Sequence, residues 1–457
     1  MILASLNPIN KYLKAQVHIA PLVVFRILFG VMMLASIIRF MLKGWVYDLY
    51  IKPQFYFSYF GFEWVKPLGE IGMYSIFIIM GISALLIMLG FLYRFSALIF
   101  FLSFTYVELI DKSNYLNHYY FVSIIALLMI FLPAAKYFSL DAFLNPDKRN
   151  THINKWIILV IQLQLGIVYF YAGLAKLNAD WLFDAQPLRI WLQARTDLPL
   201  IGFLMDKLWI AYLFSWFGAI YDLSIPFLLL FKRTRLIAFG LVVIFHVMTA
   251  LLFPIGMFPY IMIISTLIFF SEKFHLSIIH RLSAVLHFFK KSSPADEIHK
   301  QYDFKPHLKS ILILFLSAHF IVQLFLPFRY ILYPGKLFWT EQGYRFSWRV
   351  MLMEKAGKAF FYVTDKATKK SGEVMMNDYL TPNQEKMMAT QPDMILQYAH
   401  FLKEKQQQQG MKDPEIRVSC YVTLNGSGSR LFIDKELDLT TQKESFENKE
   451  WILPFEK

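Results

Sequence analysis

The sequence is poor in cysteine and in charged residues, and each shortage excludes a class of protein. Its 457 residues include a single cysteine, Cys420, so no disulfide can form within the chain. Only 17% of the residues are charged, against about 25% in ordinary soluble proteins. The formal net charge is +13, but the basic residues are scattered among short connecting segments and form no patch of the kind that nucleic-acid binding requires. We therefore expect no internal disulfide and no nucleic-acid partner.

Long apolar runs dominate the first 330 residues. Hydrophobic residues make up 57% of the sequence and aromatic residues 18%. An α-helix needs ~20 mostly apolar residues to cross the ~30 Å hydrocarbon core of a bilayer. The pattern therefore predicts an all-α polytopic membrane bundle of about nine transmembrane helices over residues 1–330. The predicted segments lie near 19–42, 72–93, 95–111, 119–138, 155–177, 209–231, 236–253, 257–271 and 310–327.

The distribution of basic residues between the loops predicts how the bundle is oriented. With nine crossings, the connecting segments alternate between the two sides of the membrane. Seventeen lysine and arginine residues fall on the side of the N-terminus and seven on the opposite side. Because short cytoplasmic loops carry the excess of positive charge, we predict a cytoplasmic N-terminus and an extracytoplasmic chain after residue 328. The segments around 141–150 and 273–305 are then cytoplasmic.

Residues 340–457 are more polar and are predicted to form a small extracytoplasmic α+β domain, mainly β. Residues 359–365 and 372–376 alternate in the manner of strands, and 381–409 is a polar stretch compatible with a helix. Residues 415–424 and 429–434 flank the turn-forming residues 425–428, which predicts a hairpin.

Three ionisable side chains in the membrane segments are candidates for a functional site, because such groups are expensive in a bilayer. His118 begins the fourth predicted helix, Lys176 ends the fifth, and His246 lies ~10 Å before the end of the seventh at 1.5 Å rise per residue. By the predicted topology, all three approach the same outer face. Each has a plain alternative, because a lysine at a helix end can extend to the headgroups and a histidine can be a packing or interfacial residue. Asp222 and Arg26 are also intramembrane, and we expect them to form structural pairs.

Several stretches resemble the vitamin K-dependent γ-glutamyl carboxylases and occur in the same order as in that family. The most specific surrounds Lys176 and reads AGLAKLNADW at 172–181. The resemblance runs from about residue 20 to the C-terminus and suits a bacterial homologue with an HTTM-type membrane domain. The other matching stretches are VFRILFG at 24–30, DKSNYLNHY at 111–119, His246 followed by IGMFPY at 255–260, FLP at 325–327 and YRFSW at 344–348.

The resemblance implies a coupled reaction at a site built around Lys176. In that family a neutral lysine deprotonates reduced vitamin K, which then reacts with O2 to give a strong base. That base removes a γ-proton from a glutamyl side chain, and the carbanion adds CO2, leaving vitamin K epoxide. An amine in an apolar pocket is disfavoured in its charged form, so a lysine there can serve as a general base near neutral pH.

The resemblance also assigns roles to five further residues. His118 and His246 match histidines of the same site, where they would hydrogen-bond a developing oxyanion or help to hold CO2. Asn117, Met257 and Phe258 match positions near the quinone pocket, although methionine and phenylalanine are equally typical of helix packing. The implied co-substrates are reduced vitamin K, as phylloquinone or menaquinone hydroquinone, with O2 and CO2. No metal is implied.

Three departures from the family leave the peptide substrate open. Met353 occupies the position of a histidine in the animal enzymes, the segment 372–380 matches poorly, and Cys420 has no disulfide partner. We expect a bacterial plasma (inner) membrane, where menaquinone is at hand, and a glutamate-containing exported peptide as partner. The alternatives are quinone epoxidation or oxidation without carboxylation, or a non-catalytic lipid- or quinone-binding membrane protein.

Overall fold

A computed structural model describes residues 2–285 and 300–456 of the chain. These residues form a long helical part, up to residue 332, and a C-terminal domain. In chain order the helices of the first part are α1 Ile2–Lys14, α2 Ala20–Leu42, α3 Trp45–Tyr50, α4 Gly69–Leu89, α5 Tyr93–Ile110, α6 Asn117–Phe131, α7 Leu140–Leu144, α8 Trp156–Ala175, α9 Ala179–Leu182, α10 Leu188–Gln193, α11 Leu208–Leu230, α12 Arg235–Leu252, α13 Phe258–Thr266, α14 Glu272–Val285 and α15 Pro306–Phe325, which a 3-10 helix, Leu326–Leu332, continues.

Each of the nine predicted membrane segments contains a helix. Seven of these helices have at least 18 residues and are apolar enough to cross a membrane, namely α2, α4, α5, α8, α11, α12 and α15 with its continuation. Their bounds lie within a few residues of the predicted ones. The protein is therefore an integral membrane protein built on an α-helical bundle, as its apolar runs predict.

The remaining two segments are shorter than predicted. Helix α6 has 15 residues and ends at Phe131, well before the predicted 138, because Pro133 follows and the residue before a proline avoids the helical conformation. Helix α13 has nine residues and a 3-10 extension, Leu267–Phe269, after which α14 turns away by 114°. By length, residues 2–285 and 300–456 hold seven spans, or eight if α13 and α14 are one bent span, so the predicted count of nine is approximate.

The helix ends gather on two opposite sides, as an alternating topology requires. On one side, strand β1, Gln16–His18, pairs antiparallel with β2, His152–Asn154, and the backbone N of His18 donates to the Glu272 carboxylate at 3.2 Å. On the other side, the connections after α2, α5 and α8 meet the C-terminal domain, and Phe253, directly after α12, packs on Trp191 in the connection after α8. Which side faces the cytoplasm stays a prediction, and residues 286–299 of the predicted cytoplasmic segment lie outside the described residues.

The C-terminal domain is an α+β fold containing an antiparallel sheet, as predicted. Its helices are α16 Leu337–Thr340, α17 Pro382–Met388 and α18 Pro392–Gln408, and its strands are β3 Lys355–Asp365, β4 Ser371–Val374, β5 Pro414–Leu424 and β6 Arg430–Leu431, in the sheet order β4-β3-β5-β6. Strands β3 and β5 pair along their full length, and α18 packs against β5. The helix-compatible stretch 381–409 contains two helices, and Pro392 begins the second one at a position that proline favours.

Buried charges fix the C-terminal domain on the helical part. Lys112, in the connection between α5 and α6, is 2% exposed, and its Nζ lies 2.8 Å from Asp393 and 3.4 Å from Glu444. Arg345 reaches the same Asp393 carboxylate at 2.7 Å. Although burial opposes ionisation, Arg345 and Lys112 hold the pKa of Asp393 well below its usual range. Because removing one partner would leave the others buried without a countercharge, these contacts hold the domain in one position.

Candidate active site

Lys176 is held between helices α8 and α11 by an ion pair with Asp222. Lys176 directly follows α8 and is 6% exposed, and Asp222 is 4% exposed. The distance from Lys176 Nζ to Asp222 Oδ2 is 2.5 Å. The Nζ also donates to the Ala172 carbonyl at 3.3 Å and lies 5.2 Å from the centre of the Trp181 ring. The ammonium group therefore does not extend to the headgroups, and the partner that we expected for Asp222 is Lys176.

A glycine on α8 allows the close helix contact that brings this pair together. A Cβ atom added to Gly173 would lie 2.7 Å from the backbone N of Leu223 and 3.0 Å from the backbone C of Asp222, both on α11. Only a residue without a side chain fits there. Asp222 lies eight residues before the end of α11, or about 12 Å at 1.5 Å per residue, so the pair sits at membrane depth.

The pair faces an apolar cavity of about 80 Å³. Its polar lining groups are Lys176, Asp222, Tyr169, His246 and Thr249. Apolar and aromatic side chains form most of the other walls, chiefly Val168, Ala172, Trp181, Leu188, Trp191, Phe214, Phe245, Phe253, Phe258 and Met262. A few convergent polar groups in an otherwise apolar cavity are typical of small-molecule sites.

His246 presents its imidazole ring to this cavity from α12. The side chain is 1% exposed, and its Nε2 lies 3.1 Å from the Tyr169 hydroxyl. The other ring nitrogen, Nδ1, is buried without a hydrogen-bond partner among the described residues. A buried nitrogen left in this way is costly, and a bound polar group would satisfy it.

Phe258 contacts both His246 and His118. Its ring centre lies 5.6 Å from that of His246 and 5.8 Å from that of His118, which is 8% exposed at the start of α6. The two predicted histidines thus both pack against one phenylalanine ring. Met257, the residue before α13, is half-buried against the core of the helical part, and neither it nor His118 lines the cavity.

Asn117 faces the C-terminal domain. Its Nδ2 donates to the Arg349 carbonyl at 2.8 Å, and its Oδ1 accepts from the Tyr115 hydroxyl at 3.0 Å. Both ends of the amide are therefore used to tie the start of α6 to the domain, and Asn117 does not line the cavity. Its role near the quinone stays a prediction.

The C-terminal domain contributes two cavity residues, Val350 and Met351, that the sequence analysis did not identify. They follow Trp348, which is 1% exposed and stacks on Tyr120 of α6 with ring centres 4.9 Å apart. Their only sequence signal is their position directly after the YRFSW stretch. Met353, where the animal enzymes carry histidine, packs in the core of the C-terminal domain and does not line the cavity.

The donor set at this site suits an organic ligand. Within residues 2–285 and 300–456, no group of three or more His, Cys, Asp or Glu side chains is placed to hold a metal ion. The residues that are present, a lysine–carboxylate pair, a histidine with an unused nitrogen and several aromatic walls, fit a flat apolar molecule with an ionisable hydroxyl group.

Comparison with known families agrees with this arrangement. Residues 15–274 match the family described as "HTTM domain", which covers α2 to α13. Residues 308–457 match "Vitamin K-dependent gamma-carboxylase, lumenal domain". No solved structure matches the chain. The first match covers most of the membrane part, and the second covers the C-terminal domain with the helix before it. The chain belongs to the vitamin K-dependent gamma-carboxylase family.

Proposed function

We propose that this protein couples oxygenation of a reduced naphthoquinone, vitamin K hydroquinone, to carboxylation of glutamyl side chains with CO2. The substrate would be a glutamate-containing peptide on the extracytoplasmic side of a bacterial plasma membrane. The observation that carries the proposal is the Lys176–Asp222 pair, buried beside an apolar cavity at membrane depth.

Lys176 takes a proton from a hydroxyl group of the hydroquinone. To do so its amine must first be unprotonated, and Asp222 is 2.5 Å away to receive the proton that the amine gives up. When Lys176 then accepts the hydroxyl proton, its positive charge would lie beside the hydroquinone monoanion, and the site would stay neutral overall. When bound, the hydroquinone monoanion would supply the reaction with O2 that produces a base for the glutamyl γ-proton.

The histidines orient and stabilise without acting as the base. The Nε2 of His246 is hydrogen-bonded to the Tyr169 hydroxyl. The unpaired Nδ1 can form a hydrogen bond with an oxygen of the hydroquinone. His118 packs against the Phe258 ring and could reach a ligand that displaces this ring. Phenolic groups lose a proton near pH 10, so lysine suits this transfer better than histidine.

The C-terminal domain forms part of the cavity wall. Val350 and Met351 place apolar side chains at its wall, and exclusion of water strengthens each polar contact inside. The same segment comes from the domain that would receive the peptide, so a glutamyl side chain would enter past it.

The experiment is an incubation of the purified protein with reduced vitamin K, labelled bicarbonate and a glutamate-rich peptide. Vitamin K epoxide and label fixed in the peptide are measured separately. We expect both products, with label fixation dependent on the quinone. Epoxide without fixed label would overturn the carboxylation and leave an epoxidase, and absence of both would overturn the proposal.

A further inference from the structure

A second cavity, of about 300 Å³, lies where the C-terminal domain meets the helical part, and it shares no lining residue with the cavity at Lys176. Its walls come from the connection between α3 and α4, the 3-10 helix after α15, and the C-terminal domain. It is more polar than the first cavity, and four basic side chains line it: Lys112, Arg329, Arg345 and Lys449.

Two of these four cations have a carboxylate partner. Lys112 and Arg345 are neutralised by Asp393 and Glu444 through the contacts that dock the domain. The third acidic residue of the lining, Glu341, is paired with Lys355 at 2.9 Å. The acidic groups of the cavity are therefore already used.

Arg329 and Lys449 have no carboxylate within ion-pair distance in the part of the chain that the structure describes. Arg329 donates from Nη2 to the Arg345 carbonyl at 3.0 Å, and its Nε has no hydrogen-bond partner. Lys449 donates from Nζ to the Ser445 carbonyl at 3.1 Å. Burial lowers the pKa of Lys449, the charges of Asp393 and Glu444 offset part of that effect, and the charges of Lys112 and Arg345 lower the pKa again. Among the described residues, those two carboxylates form their ion pairs with Lys112 and Arg345, so neither Arg329 nor Lys449 has a carboxylate partner of its own.

The rim of the cavity is aromatic and adjoins the end of a helix long and apolar enough to cross a membrane. Phe60 and Phe446 pack edge to face with ring centres 4.8 Å apart, yet 43% and 66% of their surfaces remain exposed. Phe62 at the same rim is 41% exposed. Arg329 lies three residues before the end of the apolar stretch Pro306–Leu332, which is long enough to cross a membrane. Exposed aromatic side chains next to a helix end are typical of the membrane–water interface.

We propose that this cavity binds the phosphate of an anionic phospholipid from the adjacent leaflet, with Arg329 and Lys449 as the phosphate contacts. Both cations would gain charge-assisted hydrogen bonds, and the acyl chains would lie along the aromatic rim. Free inorganic phosphate could make the same contacts with the two cations, but only a lipid would also contact the apolar rim. The excess of two cations favours a lipid with net negative charge over a zwitterionic one.

The test measures lipid retention by the full-length protein. The purified protein is given equal amounts of phosphatidylglycerol and phosphatidylcholine with identical acyl chains, and bound lipid is counted by native mass spectrometry. We expect preferential retention of phosphatidylglycerol. The double variant Arg329→Gln/Lys449→Gln should bind it about thirtyfold more weakly, the scale of two lost basic contacts at a membrane surface. Lys449→Gln alone should weaken binding about fivefold, the scale of one lost basic contact. This single variant loses only one hydrogen bond to a carbonyl, so it keeps the proposal testable if the double variant fails to fold.

The matched control is Arg189→Gln/Lys207→Gln, which removes two exposed basic residues from the same side of the membrane and lies outside the cavity. It should retain phosphatidylglycerol as the wild type does. Equal retention by wild type and Lys449→Gln would overturn the proposal, as would equal binding of the two lipids. Displacement of phosphatidylglycerol by millimolar inorganic phosphate, or by a glutamate-rich peptide, would assign the cavity to a soluble anion and also overturn it.

Discussion

A single methyl group added at Gly173 should disable the site without touching any reacting side chain. In Gly173→Ala the new Cβ would lie 2.7 Å from the backbone N of Leu223, a contact that real Cβ atoms do not make. The obstacle is helix backbone, which cannot rotate away as a flexible side chain could. Helices α8 and α11 must therefore separate at the level of Lys176 and Asp222.

The size of the effect follows from the distances. Ordinary contact begins near 3.4 Å, so α11 must retreat by about 0.7 Å. The 2.5 Å contact between Lys176 and Asp222 lengthens by a similar amount. Misplacement of catalytic groups by ~1 Å can cost ~10²-fold in rate, so we expect quinone turnover to fall by about 30- to 100-fold. Overpacking of this kind costs ~1–3 kcal/mol of folding free energy, which thermal unfolding in detergent would register.

Gly166→Ala is the matched control, because Gly166 lies on the same helix two turns away and faces the same partner helix. There the nearest atom to an added Cβ is Pro226 Cβ at 3.7 Å, an ordinary contact. Since alanine favours the helix over glycine by ~1 kcal/mol, this variant should be as stable as the wild type or slightly more so, and fully active. If Gly173→Ala were as stable and as active as Gly166→Ala, the close contact of α8 and α11 at Gly173 would not be what holds Lys176 and Asp222 together. That result would refute the reasoning.

Three further predictions concern the pair, the histidines and the topology. Asp222→Asn should slow quinone turnover by at least ~10²-fold, because asparagine cannot receive the lysine's proton, and a wild-type rate would remove Asp222 from the reaction. His118→Ala and His246→Ala should each slow epoxide formation by roughly 10²–10³, the scale of one lost oxyanion donor, and full activity in both would make them packing residues. In intact cells a membrane-impermeant thiol reagent should label Lys443→Cys and spare Lys148→Cys, since the native cysteine is buried. The opposite labelling would invert the predicted orientation.

The periodic and compositional features of the chain could be predicted from the sequence. Apolar runs long enough to span a bilayer mark the helices directly, and all nine predicted segments contain one. Where an apolar run continues past the residue that ends its helix, the length of the run alone misleads. The fourth run continues past Pro133, although the helix ends at Phe131, and the eighth includes the turn into α14. Strands β3 and β5 extend beyond their predicted bounds because pairing with each other holds their ends.

Only the site residues that lie within a recognisable sequence motif could be predicted. Gly173 lies three residues before Lys176 in the same stretch, so the sequence could indicate both the lysine and a close helix contact next to it. Its partner Asp222 lies 46 residues further on, and only the packing of α8 on α11 brings the two together. Val350 and Met351 come from another domain and have no distinguishing chemistry, so nothing in the sequence could place them at the cavity.

The most direct test of the account is the activity of Lys176→Arg. Arginine can keep the ion pair with Asp222, so the protein should insert and fold, but arginine does not lose its proton in a protein. Lys176→Ala, which has no fixed cation, serves as the comparison, and small exogenous amines that enter its cavity should restore part of its activity. With reduced vitamin K, labelled bicarbonate and a glutamate-rich peptide, we predict no epoxide and no fixed label from folded Lys176→Arg, with or without added amine. Turnover of the reduced quinone by this variant at the wild-type rate would contradict the account, because the pair would then only hold the two helices together.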